Sequence, residues 1–467
     1  MIPSHSILLT HGYFLQEDET EKRIMKPYPT LGILYISAYL KSKGFSVDIF
    51  DSTFQTKQEF RSYIDTHRPS LVGIYVNLMT KLNALDLIAY CKSKGCTVIV
   101  GGPEVPFYGE DFIKHGADIG VIGEGELTLE EVIPHVQKHS PHGMSHINGI
   151  IYRESNGEII RTAERELIAD LDLLPHPDRS AIDMNRYVET WRTHHKLGSV
   201  SLICARGCPF TCTWCSRSVF GDTHRRRSAK NVVDEIEMLL AEYTPDMLWF
   251  ADDVFTINHR WFYAFYEEMK KRNIRIPFEC ISRADRLNED ILQKMAELGS
   301  FRIWFGSESG SQRILDAMQR RVSVEQIRKI TGLAQKYGIQ AGLFVMLGYP
   351  GEEISDIDAT ITHLKETNPD TYLTTLAYPI KGTTMYNEVK DHLIVNDSWE
   401  KITDRTLNFS GRHSERFYWF ATRHLVNEIA LHKMMSNGRR NLGSVVSTFA
   451  KAKIARVGMQ LTRSTRT

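Results

Sequence analysis

The first 135 residues alternate short apolar runs with amphipathic stretches. Apolar runs of strand length lie at 6–10, 46–50, 71–76, 97–100 and 119–122, and helical patterns occupy 31–43 and 84–94. Strands separated by helical patterns of this kind are typical of βαβ units and a parallel sheet. The pattern therefore predicts an α/β, doubly wound, Rossmann-like domain of five strands over residues 1–135. Such a domain binds its ligand beyond the carboxyl ends of its strands.

A second series of alternating patterns occupies residues 196–395. Its apolar runs lie at 200–204, 247–251, 278–281, 302–306, 342–346 and 371–377, with helical patterns such as 230–242 and 324–336 between them. Six such units predict a partial (β/α)6 TIM-like barrel, whose chemistry would gather at the C-terminal ends of the strands. Residues 136–195 are interpreted as a connector with a small hairpin, and residues 396–467 as a helical, basic C-terminal extension.

Composition narrows the class of protein only slightly. Lys+Arg and Asp+Glu both number 57, so the net charge gives no indication of a nucleic-acid partner. The chain shows no secretory pattern near its first residue and no run of about 18 apolar residues, so we expect a cytoplasmic protein. Four of the 7 cysteines fall within residues 204–215, and in a reducing compartment such clustering indicates metal or redox chemistry.

The strongest motif is Cys-x3-Cys-x2-Cys, formed by Cys208, Cys212 and Cys215 directly after a predicted strand. Three thiolates on one loop can hold three irons of a cubane cluster and leave the fourth iron open to a chelating ligand. A zinc site is the alternative, with Cys204 as a fourth ligand, although zinc usually takes two separated pairs and no second pair follows. A set of unrelated buried thiols is the remaining alternative.

This loop, with Trp214 before its last cysteine, resembles the radical S-adenosylmethionine (SAM) superfamily. The order of domains along nearly the whole chain resembles the cobalamin (B12)-binding subgroup, which includes anaerobic Mg-protoporphyrin ester cyclases and B12-dependent radical SAM methyltransferases. The resemblance implies a [4Fe-4S] cluster on the three motif cysteines. It also implies reductive cleavage of SAM to a 5'-deoxyadenosyl radical, with a flavodoxin or ferredoxin as electron donor.

The same resemblance implies SAM contacts at the ends of the barrel strands. Carboxylates would face the SAM amino group, an arginine its carboxylate, a GSESG run its ribose and a glycine its adenine. The implied residues are Asp252, Asp253, Arg283, Ser307, Glu308, Ser309 and Gly348. Each has a structural alternative as a helix cap, an ion pair or an ordinary turn.

For the N-terminal domain the resemblance implies cobalamin contacts at Thr80, Gly101 and Gly102. The sequence departs from the better-known pattern, because no Asp-x-His-x-x-Gly occurs. Residues 51–54 (DSTF) stand near the expected place, and Thr53 occupies the position of the histidine. Cobalt would then lack a protein ligand below. The alternative is a domain that binds no corrinoid and serves as a substrate lid.

The predicted reaction is methylation, cyclisation or rearrangement at an unactivated carbon of a small molecule, for which an apolar substrate such as a lipid or tetrapyrrole is a candidate. A helical pattern at 444–461 carries apolar residues on roughly one side and basic residues among or opposite them, which suits peripheral contact with a membrane; a packing helix and a frayed tail are the alternatives. Two alternatives stay open: a radical SAM enzyme without corrinoid, and a non-catalytic iron–sulfur or zinc protein.

Overall fold

The computed structural model describes residues 7–436 and 441–463. These residues form two compact units that the chain enters more than once. The first unit contains residues 7–209, Arg217–Trp249 and Asp397–Thr403. The second contains Phe210–Ser216, Phe250–Asn396 and the described residues from Asp404 onward.

The first unit is built on a seven-stranded sheet with the order β2-β1-β3-β4-β5-β6-β7. Neighbours among the first five strands are parallel, and β5, β6 and β7 pair antiparallel. The strands are β1 Ile7–His11, β2 Val47–Phe50, β3 Leu71–Tyr75, β4 Thr97–Gly101, β5 Ile119–Val121, β6 Ile150–Arg153 and β7 Ile159–Arg161. The five predicted parallel strands are confirmed.

The hairpin of β6 and β7 extends this sheet from five strands to seven. Its residues Ile150, Ile151 and Tyr152 are buried, so the hairpin requires an apolar surface to cover. Gly109 and Gly120 provide that surface, because a Cβ at either position would lie within 2.8 Å of the Ile151 side chain. The missing side chains let the hairpin pack closely on the edge of β5.

Helices surround the sheet as the amphipathic pattern predicts. They are α1 Glu19–Ile24, α2 Leu31–Ser42, α3 Lys57–His67, α4 Lys81–Ser93, α5 Val105–Lys114, α6 Gly125–Lys138 and α7 Met184–His195. Helix α3 begins with a capping box between Thr56 and Glu59, which satisfies two backbone N–H groups. Helix α4 begins three residues earlier than its apolar pattern indicates, because a turn at Asn77 starts it.

A six-stranded sheet with the order β15-β14-β13-β12-β11-β8 confirms the second predicted series. Strands β12 to β15 are parallel to their neighbours. The remaining strands of the chain are β8 Ser199–Leu202, β9 Ala205–Arg206, β10 Arg225–Arg226, β11 Met247–Phe250, β12 Phe278–Ser282, β13 Ser300–Glu308, β14 Gln340–Leu347, β15 Thr371–Leu376, β16 Leu393–Ile394 and β17 Asn408–Phe409.

The later helices end in a long hairpin. They are α8 Ala229–Tyr243, α9 His259–Lys271, α10 Glu289–Leu298, α11 Gln312–Ala317, α12 Val324–Lys336, α13 Ile354–Thr367, α14 Thr384–Val389, α15 Glu415–Ser436 and α16 Leu442–Leu461. The predicted helical extension is confirmed, whereas Arg439, Arg440 and Arg466 of its basic residues lie outside the described residues. None of the described helices is both long and apolar enough to cross a membrane.

Candidate functional site

The cysteine loop follows the short strand β9. Gly207 has a φ of +86°, and a Cβ there would lie 2.3 Å from the Thr223 carbonyl oxygen, so this turn requires glycine. Cys208 is half-buried, Cys212 is buried and Cys215 is exposed. Over residues 7–436 and 441–463, no three His, Cys, Asp or Glu side chains are gathered with the spacing of a metal site.

Thr213 anchors the loop beside Cys212 within the second unit. Its N–H donates to the Met318 carbonyl oxygen at 3.2 Å, and its carbonyl accepts from Met385 N–H at 2.9 Å. Its hydroxyl lies 2.6 Å from the Tyr349 hydroxyl. These bonds fix the backbone on which the Cys212 thiol is presented.

Two guanidinium groups face the Cys212 sulfur. Arg283 Nη1 lies 3.8 Å and Arg320 Nη1 3.7 Å from Sγ. A hydrogen bond with the Cys215 thiol, followed by the charges of Arg320 and Arg283, lowers the pKa of Cys212 to about 5 against the opposing effect of burial. A thiolate is the form that binds iron, so this environment fits a cluster ligand.

Both guanidinium groups are held by further bonds. Arg283 Nε donates to Asp285 at 2.8 Å, its Nη2 donates to the Arg320 carbonyl oxygen at 2.8 Å, and its plane lies 3.7 Å from the Phe210 ring centroid. Arg320 Nη2 donates to the Gly306 carbonyl oxygen at 2.8 Å. Arg320 was missed by sequence reasoning, because it lies 108 residues from Cys212 in a turn without a distinguishing motif.

Glu308 ends β13 beside Arg320. Its φ is +59°, an uncommon value for a residue with a side chain, and its carboxylate lies 3.9 Å from Arg320 Nε. Burial raises the pKa of Glu308 to about 7, although the positive charge of Arg320 opposes the shift. The structure thus brings Glu308, Arg320 and Cys212 into one buried group of charges.

Ser307 and Ser309 turn toward helix α13 instead. Ser307 Oγ lies 3.0 Å from His363 Nε2, and Ser309 Oγ lies 3.2 Å from Thr360 Oγ1. All four side chains are buried. Their hydrogen bonds hold the GSESG turn against α13.

Gly348 lies where β14 ends. Its φ is +77°, its N–H donates to Glu352 Oε2 at 2.6 Å, and its carbonyl accepts from Arg412 Nη1 at 3.4 Å. Burial raises the pKa of Glu352 to about 8. Arg412, a residue of the C-terminal extension that sequence reasoning missed, also donates to the Ala377 carbonyl oxygen at 2.7 Å. Arg412, which is distant from β14 in sequence, therefore helps to fix the backbone at the end of this strand.

The two predicted aspartates follow β11. Asp252 is buried and Asp253 is exposed, so they face different environments despite being adjacent. Helix α9 begins later, at His259, with Asn258 as its cap. Neither aspartate therefore caps this helix.

In the first unit, the predicted cobalamin residues lie at the carboxyl ends of β3 and β4. Gly102 has a φ of +116°, and a Cβ there would lie 2.4 Å from the Val76 carbonyl oxygen. Thr80 Oγ1 accepts from Asn77 N–H at 3.0 Å, and Asn77 Oδ1 accepts from Thr80 N–H at 3.0 Å. Thr80, Gly101 and Gly102 thus share the edge where doubly wound sheets bind ligands.

A buried polar network lies beside them, at the ends of β1 and β2. His11 Nδ1 accepts from Tyr13 N–H at 3.2 Å, so Nε2 is the donor to Asp51 at 3.0 Å. Tyr187 OH donates to Asp51 at 2.8 Å and lies 2.7 Å from Thr53 Oγ1. Burial raises the pKa of Asp51, but the bonds from His11, Tyr187 and Thr53 outweigh it and hold the pKa below its usual value.

Two family models match the chain in the regions just described. The radical SAM superfamily matches residues 202–364, and the B12 binding domain matches residues 23–133. The chain is 28% identical to an uncharacterized methyltransferase of Pyrococcus horikoshii, over 80% of this chain and 82% of that protein. It is 26% identical to the anaerobic magnesium-protoporphyrin IX monomethyl ester cyclase of Rubrivivax gelatinosus, over 79% of this chain and 68% of the cyclase.

The fold is similar to that of a solved protein. The structure of the radical SAM methyltransferase TsrM from Kitasatospora setae, with cobalamin and a [4Fe-4S] cluster bound, superposes with a TM-score of 0.70 over 85% of this chain and 78% of TsrM, at 17% identity. At that identity the likeness shows the fold alone. With both family models matched, the chain carries a B12-binding domain followed by a radical SAM domain, the domain combination of the B12-binding subgroup of the radical SAM superfamily.

Proposed function

We propose that the protein is a B12-dependent radical SAM enzyme that holds a [4Fe-4S] cluster on Cys208, Cys212 and Cys215. The observation that carries the proposal is the buried Cys212 sulfur, with guanidinium nitrogens at 3.7 and 3.8 Å, inside a Cys-x3-Cys-x2-Cys loop of a radical SAM domain. Cationic donors stabilise a thiolate, which is the form an iron cluster needs.

When bound, the cluster would supply the single electron that cleaves SAM to a 5'-deoxyadenosyl radical. The side chains around it would position and shield the reactants. Burial of Asp252 and Glu308 near strand ends supports them as groups facing SAM. The bonds of Ser307 and Ser309 to α13 support a role in holding the turn that Glu308 completes.

Arg283 has two roles in the proposed site. It stacks on Phe210 and donates to the Cys212 sulfur at 3.8 Å, so it would hold the cluster loop as well as face the SAM carboxylate. Gly348 would lie beside the adenine, and its missing side chain lets Leu376 Cδ1 approach to 2.6 Å from the place of a Cβ. Asp253 is exposed after the same strand as Asp252 and would face the SAM amino group.

Cobalamin would lie at the carboxyl edge of the first unit's sheet, against Thr80, Gly101 and Gly102. The place of these residues just after β3 and β4 and the match to the B12 binding domain support this position. Both ring nitrogens of the nearby His11 already have hydrogen-bond partners, which supports a cobalt without a lower ligand from this histidine.

We propose methyl transfer to an unactivated carbon of a small, apolar substrate as the reaction. The similarity to a methyltransferase supports transfer, while the similarity to a tetrapyrrole cyclase supports ring closure as the second candidate and a tetrapyrrole as a substrate class. The proposal includes a flavodoxin or ferredoxin as electron donor and a cytoplasmic location, since both suit a reducible cluster.

Anaerobic purification and reconstitution test the cluster. We expect iron and sulfide to be retained, and 5'-deoxyadenosine to form from SAM with a strong reductant. Alanine at Cys208, Cys212 and Cys215 together should abolish both. Cys204→Ser is the matched control, because Cys204 is buried outside the motif, and it should retain the cluster.

Three outcomes would contradict the proposal in different ways. A full cluster in the triple alanine variant would exclude these cysteines as ligands. Zinc in place of iron, lost on Cys204→Ser, would favour a zinc-binding protein. A cluster that forms 5'-deoxyadenosine, in protein that shows no corrin absorption after incubation with hydroxocobalamin, would favour a radical SAM enzyme without corrinoid.

A further inference from the structure

Helix α16 packs on α15 through its small residues. Ala452, Ala455 and Gly458 are buried, and a Cβ at Gly458 would lie 2.5 Å from the Phe420 ring. His424 Nδ1, on α15, lies 3.2 Å from the Ala452 carbonyl oxygen. The two helices therefore approach closely through this face, which also buries Met459.

The opposite face of α16 is apolar and exposed. Its larger side chains recur at the spacing of one helix side, and their exposed fractions are Leu442 76%, Val446 62%, Phe449 49%, Ile454 67%, Val457 53% and Leu461 77%. We call these six residues the outer face of α16. A helix that is apolar on both sides is normally buried on both sides, so the outer face has the composition of a covered surface.

The charges around the outer face of α16 indicate which class of partner would bind it. Residues 441–463 contain four basic residues, Lys451, Lys453, Arg456 and Arg463, and neither Asp nor Glu. Arg456 pairs with Asp358, whereas Lys451, Lys453 and Arg463 are exposed. Lys453 Nζ lies 5.3 Å from the centroid of the Phe449 ring, so this ammonium group lies next to the apolar surface.

A partner for the outer face must provide both an apolar region that can bury its side chains and negative charge. A second copy of the same face would bring its lysines against like charges, which disfavours a symmetric dimer. An anionic bilayer surface supplies acyl chains for the aliphatic residues and headgroups for the lysines. A helix of 20 residues is about 30 Å long, and it can lie flat in the interface with its small-residue face still on α15.

We propose that the outer face of α16 docks the protein on an anionic membrane surface. The side chains of Val446, Phe449 and Val457 would enter the boundary between headgroups and acyl chains, and Lys451 and Lys453 would contact the phosphates. The proposal is independent of the cofactors, since it depends only on the helical hairpin.

Vesicle sedimentation of the full-length protein tests the proposal. The probes are vesicles of phosphatidylcholine with phosphatidylglycerol and vesicles of phosphatidylcholine alone. We expect the wild type to bind the mixed vesicles, and the triple variant Val446→Ser, Phe449→Ser, Val457→Ser to lose roughly tenfold or more in partition coefficient. Lys451→Gln with Lys453→Gln should weaken binding to mixed vesicles, and added salt should weaken the wild type.

Leu373→Ser is the matched control, because Leu373 is an exposed aliphatic residue, at 53%, on β15 and not on α16. This variant should bind as the wild type does, and unchanged circular dichroism of all variants shows that they fold. Absence of wild-type binding to the mixed vesicles would overturn the proposal, as would equal binding by the triple variant. A wild-type dimer that the triple variant abolishes, measured by analytical ultracentrifugation without vesicles, would also overturn it by showing that a second copy covers the face.

Discussion

At the scale of single residues, the donors to the Cys212 sulfur should set the reduction potential of the proposed cluster. Arg320 Nη1 lies 3.7 Å from Sγ, and hydrogen bonds to cluster sulfurs stabilise the more negative, reduced state. We expect Arg320→Leu to lower the potential by about 40 mV, which corresponds to ~1 kcal/mol for one electron. A redox titration monitored by electron paramagnetic resonance measures it.

Arg260→Leu is the control for this measurement, because Arg260 is an exposed arginine of α9. Its substitution removes the same charge without removing a donor to sulfur. Equal potentials in wild type and Arg320→Leu would contradict the assignment of Cys212 as a cluster ligand with these donors.

Substitution of Gly348 and of Gly351, in the same loop, distinguishes the backbone strain that a side chain causes from its steric crowding. Both have a left-handed backbone, with φ of +77° and +79°. A Cβ at Gly348 would lie 2.6 Å from Leu376 Cδ1, while nothing lies within 4 Å of a Cβ at Gly351. Gly351→Ala should cost about 1 kcal/mol of stability for the backbone alone, and Gly348→Ala about 2–4 kcal/mol because crowding is added.

Thermal unfolding midpoints compare these two variants. The midpoint should fall further for Gly348→Ala than for Gly351→Ala. Equal decreases would mean that the end of β14 can relax around a methyl group, and would weaken the proposed role of Gly348 as a point of close approach.

His363 should make stability depend on pH. Burial, with the nearby charge of Arg328, lowers its pKa from 6.5 to about 4. Between these values the unfolded chain binds a proton that the folded protein excludes, so the free energy of unfolding should fall as the pH decreases from about 6.5 toward 4, by about 2–3 kcal/mol. Urea unfolding across this range should show a smaller fall for His363→Gln, and identical slopes would contradict the burial of a neutral imidazole.

At the scale of elements, an ion-pair network joins the end of β5 to the base of the cysteine loop. Glu124 accepts from Arg206 Nη1 at 2.7 Å, from Arg225 Nη1 at 2.8 Å and from Ile168 N–H at 2.7 Å, whereas Glu126 accepts from Arg206 Nη2 at 2.5 Å. Arg206 ends β9, two residues before Cys208. The network therefore fixes the strand that leads into the loop.

Removing the two carboxylates should have graded effects. We expect Glu124→Ala to destabilise the first unit by about 3–5 kcal/mol, because Arg225 loses its ion pair with Glu124 and the buried Arg206 loses one of its two carboxylate partners while keeping Glu126. Glu126→Ala should cost about 1–3 kcal/mol, since Arg206 keeps its bond to Glu124. Iron content after anaerobic reconstitution should fall in the same order, and equal iron in both variants would show that β9 needs no anchor.

At the scale of the whole molecule, the sequence predicted the elements better than their partners. The two series of βα units follow from short, nearly continuous apolar runs, which parallel strands covered on both faces produce, and from amphipathic stretches of period 3.6. The same runs predicted β13 at 302–306, and the structure extends it to Ser300–Glu308. Boundaries shift in this way because strand ends depend on neighbouring strands, which a single run does not show.

The candidate sites show where sequence reasoning stops. The predicted strand ends correctly located Glu308 and Gly102, because parallel strands present their carboxyl ends at one edge of the sheet. The sequence did not predict the roles of Arg320 and Arg412, since their contacts form only when segments far apart in sequence meet. The spacing of α16 indicated an apolar side, but only its packing shows that this side is exposed.

The domain boundary predicted at residue 135 stays a prediction, and the hairpin gives it a test. A fragment ending at 135 lacks buried residues that complete the sheet's core: Met144, Ile147, Ile150, Ile151, Tyr152, Leu171 and Leu174. Burying such side chains contributes about 1.5–3 kcal/mol each, so the seven together contribute roughly 10–20 kcal/mol, as much as the whole stability of 5–15 kcal/mol of a typical domain.

We therefore expect a fragment ending at residue 135 to be unfolded, with an open edge on β5, and one ending at 174 to fold. Far-ultraviolet circular dichroism and size-exclusion chromatography compare the two. Ile151→Asp in the longer fragment is the control: a charge in the space between Gly109 and Gly120 should unfold it. If the shorter fragment folds as well as the longer one, the hairpin is a connector, as residues 136–195 were first interpreted, and the five parallel strands are sufficient by themselves.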